Sequence, residues 1–136
     1  MKLLDALVLL EFLSGEEEKA ERIKAFLDEL EQKNERLFVP EEVVIELVYF
    51  LEHGYGWERE EVARLVERLL SDELFTVELK PFVEEALKLY GQGKGTFLDC
   101  LKAVKARRAG IKEVVTLNER MSKLGLKVIN PLKREA

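Results

Sequence analysis

Three carboxylates in this chain sit where solvation accounts for them poorly. Aspartate is scarce: of the 27 acidic residues only Asp5, Asp28, Asp72 and Asp99 are aspartates, and the glutamates lie mostly on helix surfaces. Asp5 ends the apolar start Leu3-Leu4 and leads into Ala6-Leu7-Val8-Leu9-Leu10, while Asp99 opens a helix in Thr96-Phe97-Leu98-Asp99-Cys100-Leu101. Glu46 is the only charge in Val43-Val44-Ile45-Glu46-Leu47-Val48-Tyr49-Phe50-Leu51. A helix that is apolar all round is a buried helix, so Glu46 is expected to be out of water. A buried carboxylate must be paired or protonated, and no Lys or Arg lies within the cores of these segments. Acids on separate segments without local cations suggest a divalent-metal site.

The electrostatics favour that reading. Two carboxylates roughly 4 Å apart repel by about 4 kcal/mol at an effective dielectric of ~20, and a divalent ion reverses the sign. Hard ions such as Mg²⁺ take oxygen ligands, keep several waters and bind through one or two carboxylates plus substrate phosphate. Each acid also has a plainer account. Asp5 suits a helix N-cap, and Asp99 suits the positive end of a helix. Glu46 fits neither.

Several other residues invite chemistry and are better explained by structure. His53, just before Gly54, reads as a helix-end residue near free carbonyls. Cys100 has no histidine beside it and reads as small buried filler. Gly91-Gln92-Gly93-Lys94-Gly95 lacks the Lys-Ser/Thr ending of a phosphate-binding P-loop and reads as a loop. Lys102, Lys105, Arg107, Arg108, Arg120 and Lys123 are available as a basic rim for RNA, although a solvated helix face explains most of them. Tyr49, Phe50, Tyr55 and Trp57 read as core or dimer contacts, or as base-stacking residues if exposed.

The elements that must position the acids alternate. Strands are expected at Met1–Asp5, Leu37–Val39, Phe75–Leu79, Glu113–Leu117 and Lys127–Ile129. Helices are expected at Leu7–Leu13, Glu16–Asn34, Pro40–His53, Glu58–Leu70, Pro81–Tyr90 and from Thr96 to about Gly110, with a helical turn over Asn118–Lys123. Pro40 suits the first turn of its helix, Gly54 a left-handed position just past the end, and Thr96 a cap. Alternating short strands and helices imply a parallel sheet with right-handed helical crossovers. In such sheets ligands bind beyond the carboxyl ends of the strands, where strand order reverses. Asp5 and Asn118 are expected at two such ends.

Composition sets the class. A chain of 136 residues, 47% hydrophobic and 36% charged, is expected to form one soluble domain over residues 1–131, with a polar tail over 132–136. No apolar run approaches the length of a membrane span, and no signal-peptide pattern opens the chain. The lone Cys100 fits a reducing cytoplasm. Abundant Glu and Lys with few Asn and Gln lean toward a thermophile. The net charge of −5 does not advertise a nucleic-acid binder, so contact with a polyanion needs a local patch or a metal.

The ordered set of motifs resembles the PIN-domain nucleases, and within them the VapC-like toxins, over essentially the whole chain. Leu3-Leu4-Asp5-Ala6-Leu7-Val8 is similar to the family's opening strand and first acid, and Val39-Pro40 through Glu46-Leu47-Val48-Tyr49 to its second. Phe97-Leu98-Asp99-Cys100-Leu101 matches the third, and Val115-Thr116-Leu117-Asn118 the fourth. The resemblance implies a three-layer α/β/α fold with a short central parallel sheet flanked by helices. It also implies Mg²⁺- or Mn²⁺-dependent hydrolysis of RNA phosphodiesters, a small antitoxin partner and a homodimer. Asp5, Glu46 and Asp99 would hold the metal, with Asn118 joining them in the catalytic set by positioning a water. The apolar surplus on the helices spanning residues 41–70, including Tyr49, Val62, Leu65 and Leu69, is the expected dimer face. Two of these motifs depart from the family. Ala6 and Leu7 replace a polar Thr/Ser-Asn pair, and Asn118, beside Glu119, replaces an acid. The alternative is therefore a catalytically weakened PIN domain that binds RNA or protein without cutting.

Overall fold

Short strands alternate with longer helices in the computed structural model, which describes residues 1–133. The last residues of the expected polar tail, 134–136, lie outside the described residues. Backbone contacts divide the chain into two compact units, Met1–Lys80 and Pro81–Ala136.

The first unit runs β1 (Lys2–Leu3), α1 (Ala6–Ser14), α2 (Glu17–Gln32), β2 (Leu37–Val39), α3 (Glu41–His53), α4 (Arg59–Ser71) and β3 (Phe75–Val77). Its sheet has the order β1-β2-β3 and is parallel throughout, with Leu3 opposite Phe38 and Phe38 opposite Thr76. Two helices separate each pair of consecutive strands, as parallel pairing requires. Val39, Val44, Leu51, Val62 and Val66 are fully buried. The β-branched residues among them suit the half-buried surface of a sheet and the helices packed on it.

The second unit contains α5 (Lys80–Gly91), α6 (Phe97–Arg108), β4 (Glu113–Val115), a 3₁₀ helix (Glu119–Leu124) and β5 (Lys127–Ile129). β4 and β5 pair in parallel, Val114 opposite Val128. Val83, Ala86, Tyr90, Cys100, Ala103 and Val104 are fully buried, and the Tyr90 and Phe97 rings meet edge to face at 6.0 Å.

The expected mixed α/β architecture, a parallel sheet flanked by helices, is present. Several finer expectations are not. The strand ladders are one of three strands in the first unit and one of two strands in the second. Strand order in the larger sheet follows the sequence, so no reversal occurs there. Gly54 is right-handed (φ −88, ψ −44), and the first positive φ after α3 falls at Gly56. Gly54 is instead a close-approach position: a Cβ there would lie 2.7 Å from the Phe50 carbonyl. Val62 and Leu69 belong to the core, which removes them from any dimer face, whereas Tyr49, Phe50 and Tyr55 are exposed. Among the described residues no helix is long and apolar enough to cross a membrane.

Thr96 caps α6 as its sequence suggests, its Oγ1 accepting the Asp99 N–H at 3.1 Å. Thr96→Ala should therefore cost about 1 kcal/mol. Urea denaturation should show a lower midpoint with an unchanged slope; an unmoved midpoint would mean the cap contributes nothing.

Candidate active site

In the first unit, Asp5 follows β1 and occupies the N-cap position of α1 (φ −97, ψ 145), but its side chain makes no capping hydrogen bond. Asp5 is exposed rather than buried. Its carboxylate is thus available at the carboxyl end of a strand, and capping does not consume it. Ala6 beside it is buried, and Leu7 is 67% exposed, an apolar side chain in solvent next to an exposed carboxylate.

Glu46 is also exposed, which overturns the expectation of a buried acid. The reason lies in the aromatic residues. Glu42, Glu46, Tyr49, Phe50 and His53 form a solvent stripe along α3, while Val43, Val44, Leu47, Val48 and Leu51 are buried. Tyr49 and Phe50 made the helix look apolar all round although they lie outside. The Tyr49 ring meets Phe50 at 5.7 Å and His53 at 4.7 Å between centroids, so His53 is a helix-end residue with an aromatic neighbour. The buried acid of this helix is Glu41, 8% exposed, whose backbone N–H donates to Glu78 Oε1 at 3.1 Å.

In the second unit, Asp99 stands in the first turn of α6 with its side chain 19% exposed. It has a local cation just past the apolar core of its segment: Lys102 Nζ lies 3.9 Å from Asp99 Oδ1, one helical turn on. The i,i+3 spacing was the signal for that pair. On the other side, Asn118 Nδ2 donates to Asp99 Oδ2 at 3.3 Å. Asn118 is the N-cap of the 3₁₀ helix, its Oδ1 accepting the Arg120 N–H at 3.1 Å while its own N–H donates to Thr116 Oγ1 at 3.0 Å. Both ends of its amide are engaged, so it holds Asp99 in place and is not a spare ligand. The structure therefore joins Asp99 and Asn118, which lie 19 residues apart in the chain.

Glu119 does not substitute for a fourth acid. Its Oε1 accepts from Asn130 Nδ2 at 3.0 Å and pairs with Lys133 Nζ at 3.1 Å. The Asn130 hydrogen bond first, and then Lys133, hold its carboxyl below the ordinary value of 4.5. Cys100 is buried.

Among the described residues no group of three or more His, Cys, Asp or Glu side chains is assembled into a cage for a metal ion. The donor chemistry nevertheless fits a hard divalent ion. Asp99 is an oriented, accessible carboxylate, and Asp5 and Glu46 are exposed carboxylates. A Mg²⁺-type ion needs only one or two such oxygens beside water and phosphate.

Residues 2–127 match the PIN domain family model. The chain is 67% identical over 131 residues to a VapC ribonuclease of Aquifex aeolicus (strain VF5), covering 96% of this chain and 97% of that protein. The chain belongs to the PIN domain family.

The Glu119 contact makes a pH prediction. Its folded pKa is depressed, so the contact adds stability above the unfolded value and loses it as pH falls through the folded one. Glu119→Gln should melt slightly below the parent at neutral pH, and the gap should close as pH falls below 4.5. Added salt should shrink the Lys133 share, because exposed pairs are screened. A gap that persists in acid would place the effect elsewhere.

Proposed function

We propose that this chain is a divalent-metal-dependent endoribonuclease, the toxin of a toxin–antitoxin pair acting in the cytoplasm. The observation that carries the reading is near-full-length likeness to a VapC ribonuclease, in a chain that keeps an oriented Asp99 and exposed Asp5 and Glu46. RNA is the substrate, a small antitoxin protein is the partner, and Mg²⁺ or Mn²⁺ is the ion.

The candidate ligands for such an ion are Asp5 and Glu46 of the first unit and Asp99 of the second. The chemistry such an ion supplies is polarisation of a phosphoryl oxygen and acidification of a water for in-line attack. The remaining work belongs to the protein. Asp99 presents a carboxylate that Asn118 and the capped first turn of α6 keep in one orientation. Glu46, exposed on α3, holds or deprotonates the attacking water. Asn118 acts through Asp99 as a positioning residue. A neutral amide there donates a hydrogen bond where a second carboxylate would repel.

RNA cleavage in Mn²⁺ against EDTA tests the reading. Cleavage should require the ion. Asp5→Asn and Asp99→Asn should each lose at least the roughly 10–100-fold that even a supporting partner of a metal ligand costs, and Asn118→Ala should fall within that range. Mn²⁺ at a hundredfold excess over its Kd should stabilise the native chain by about 2.7 kcal/mol, and Asp99→Asn should abolish the shift. Equal RNA loss in EDTA, or an Asp99→Asn variant cutting at the parental rate, sinks the enzyme. RNA or antitoxin binding without cleavage would favour the weakened domain, whose mark is Leu7 in solvent beside Asp5.

The homodimer is proposed on the exposed aromatic residues of α3 and the turn after it, Tyr49, Phe50 and Tyr55, an isologous contact about a two-fold axis. Light scattering at micromolar concentration should return twice the chain mass, and Tyr49→Glu should return the monomer. A monomeric parent rejects the dimer.

A further inference from the structure

Resting on the nuclease reading, we propose that a small cavity beside Asp99 receives one unpaired nucleobase of the RNA, next to the phosphate to be cut. The cavity lies within the second unit and has a volume of about 190 Å³. That is below the roughly 300–1,000 Å³ of sites for drug-sized ligands, so it suits a single ring system and not a peptide or a folded strand. Asp99 and Lys102 are among its lining residues. A phosphate engaged at Asp99 and a base in the cavity therefore belong to the same nucleotide or to neighbours.

The lining suits a base. Val114, Met121 and Leu126 supply apolar surface, the last two being buried. A thioether makes favourable contacts with aromatic rings, and proteins hold extruded bases between apolar or aromatic side chains while reading their edges. Two lining residues carry groups able to read an edge. Thr116 Oγ1 accepts the Asn118 N–H at 3.0 Å, which leaves its own proton free to donate. Glu113, at the start of β4, is acceptor-only when ionised, and carboxylates accept from exocyclic amines such as that of cytosine. The exposed Lys102 ammonium, already 3.9 Å from Asp99 Oδ1, supplies the cation for the attached phosphate. The cavity thus favours an amino-bearing base over uracil. The base must be unpaired, because sequence in RNA is read on bases splayed from the stack.

The test is NMR titration of the full chain, in Mg²⁺ buffer, with AMP, CMP, UMP and ribose 5-phosphate, which are not phosphodiesters and cannot be cleaved as such. AMP and CMP should shift the amides of residues 113–116 and bind about tenfold more tightly than ribose 5-phosphate, the scale of burying part of one ring against apolar side chains. Ala106→Leu, on the cavity wall, should remove that advantage. Glu113→Gln, a surface change, should remove the preference for CMP over UMP. Ribose 5-phosphate binding as tightly as the nucleotides, an absence of binding, or a folded Ala106→Leu variant with parental affinity each overturns the proposal. If Ala106→Leu fails to fold, an unchanged CMP-to-UMP ratio in Glu113→Gln overturns it instead. Nucleotide binding without RNA cleavage removes the nuclease reading and supports the pocket. Cleavage without nucleotide binding removes the pocket alone.

Discussion

Strands of two or three residues paired in parallel make few hydrogen bonds and require long crossovers between partners, so in this protein the helices carry the burial and the strands set direction. α1 and α2 separate β1 from β2, and α3 and α4 separate β2 from β3. A single 3₁₀ helix separates β4 from β5. Because every strand in a ladder points the same way, the segments leaving the carboxyl ends of that ladder's strands emerge along one edge. Asp5 follows β1, Glu46 lies on the helix after β2, and Asn118 follows β4. The fold leaves its acids at the starts and on the outer faces of helices, where they cost little.

Availability, and not burial, distinguishes these carboxylates. A buried acid would need a compensating charge to remain ionised. Asp5 occupies a cap position without using its side chain, and Glu46 stands on a solvated stripe. Asp99 is the most constrained. Thr96 takes its backbone N–H, Asn118 donates to one carboxylate oxygen and Lys102 stands near the other. Asn118 is in turn fixed by Thr116 and by its cap of the 3₁₀ helix. The chain of contacts converts a loop residue into the support of a helix residue, and it does so with a neutral amide that donates a hydrogen bond to the Asp99 carboxylate.

The cap at Thr96, the helix starts near Pro40 and Glu58, and strands at residues 37–39 and 127–129 were legible because each rests on local chemistry: a hydroxyl for an orphan N–H, a fixed φ, an apolar alternation. Asp5, Glu46, Asp99 and Asn118 stood out in the sequence as an ordered set of motifs. Their environments were not legible. Composition treats Tyr49 and Phe50 as apolar wherever they lie, so it placed Glu46 inside and overlooked Glu41 at the start of the same helix.

By itself the sequence determined the alternation of elements and which residues carry charge near strand ends, since propensity, capping and periodicity act over a few residues. Tertiary structure alone decided which face of α3 meets solvent, that Val62 and Leu69 are core, and that the strands form ladders of three and two. It also decided that Asn118 spends its amide on Asp99, 19 residues away in the chain. These outcomes depend on pairing and packing between segments far apart in the chain, and no local rule carries that information.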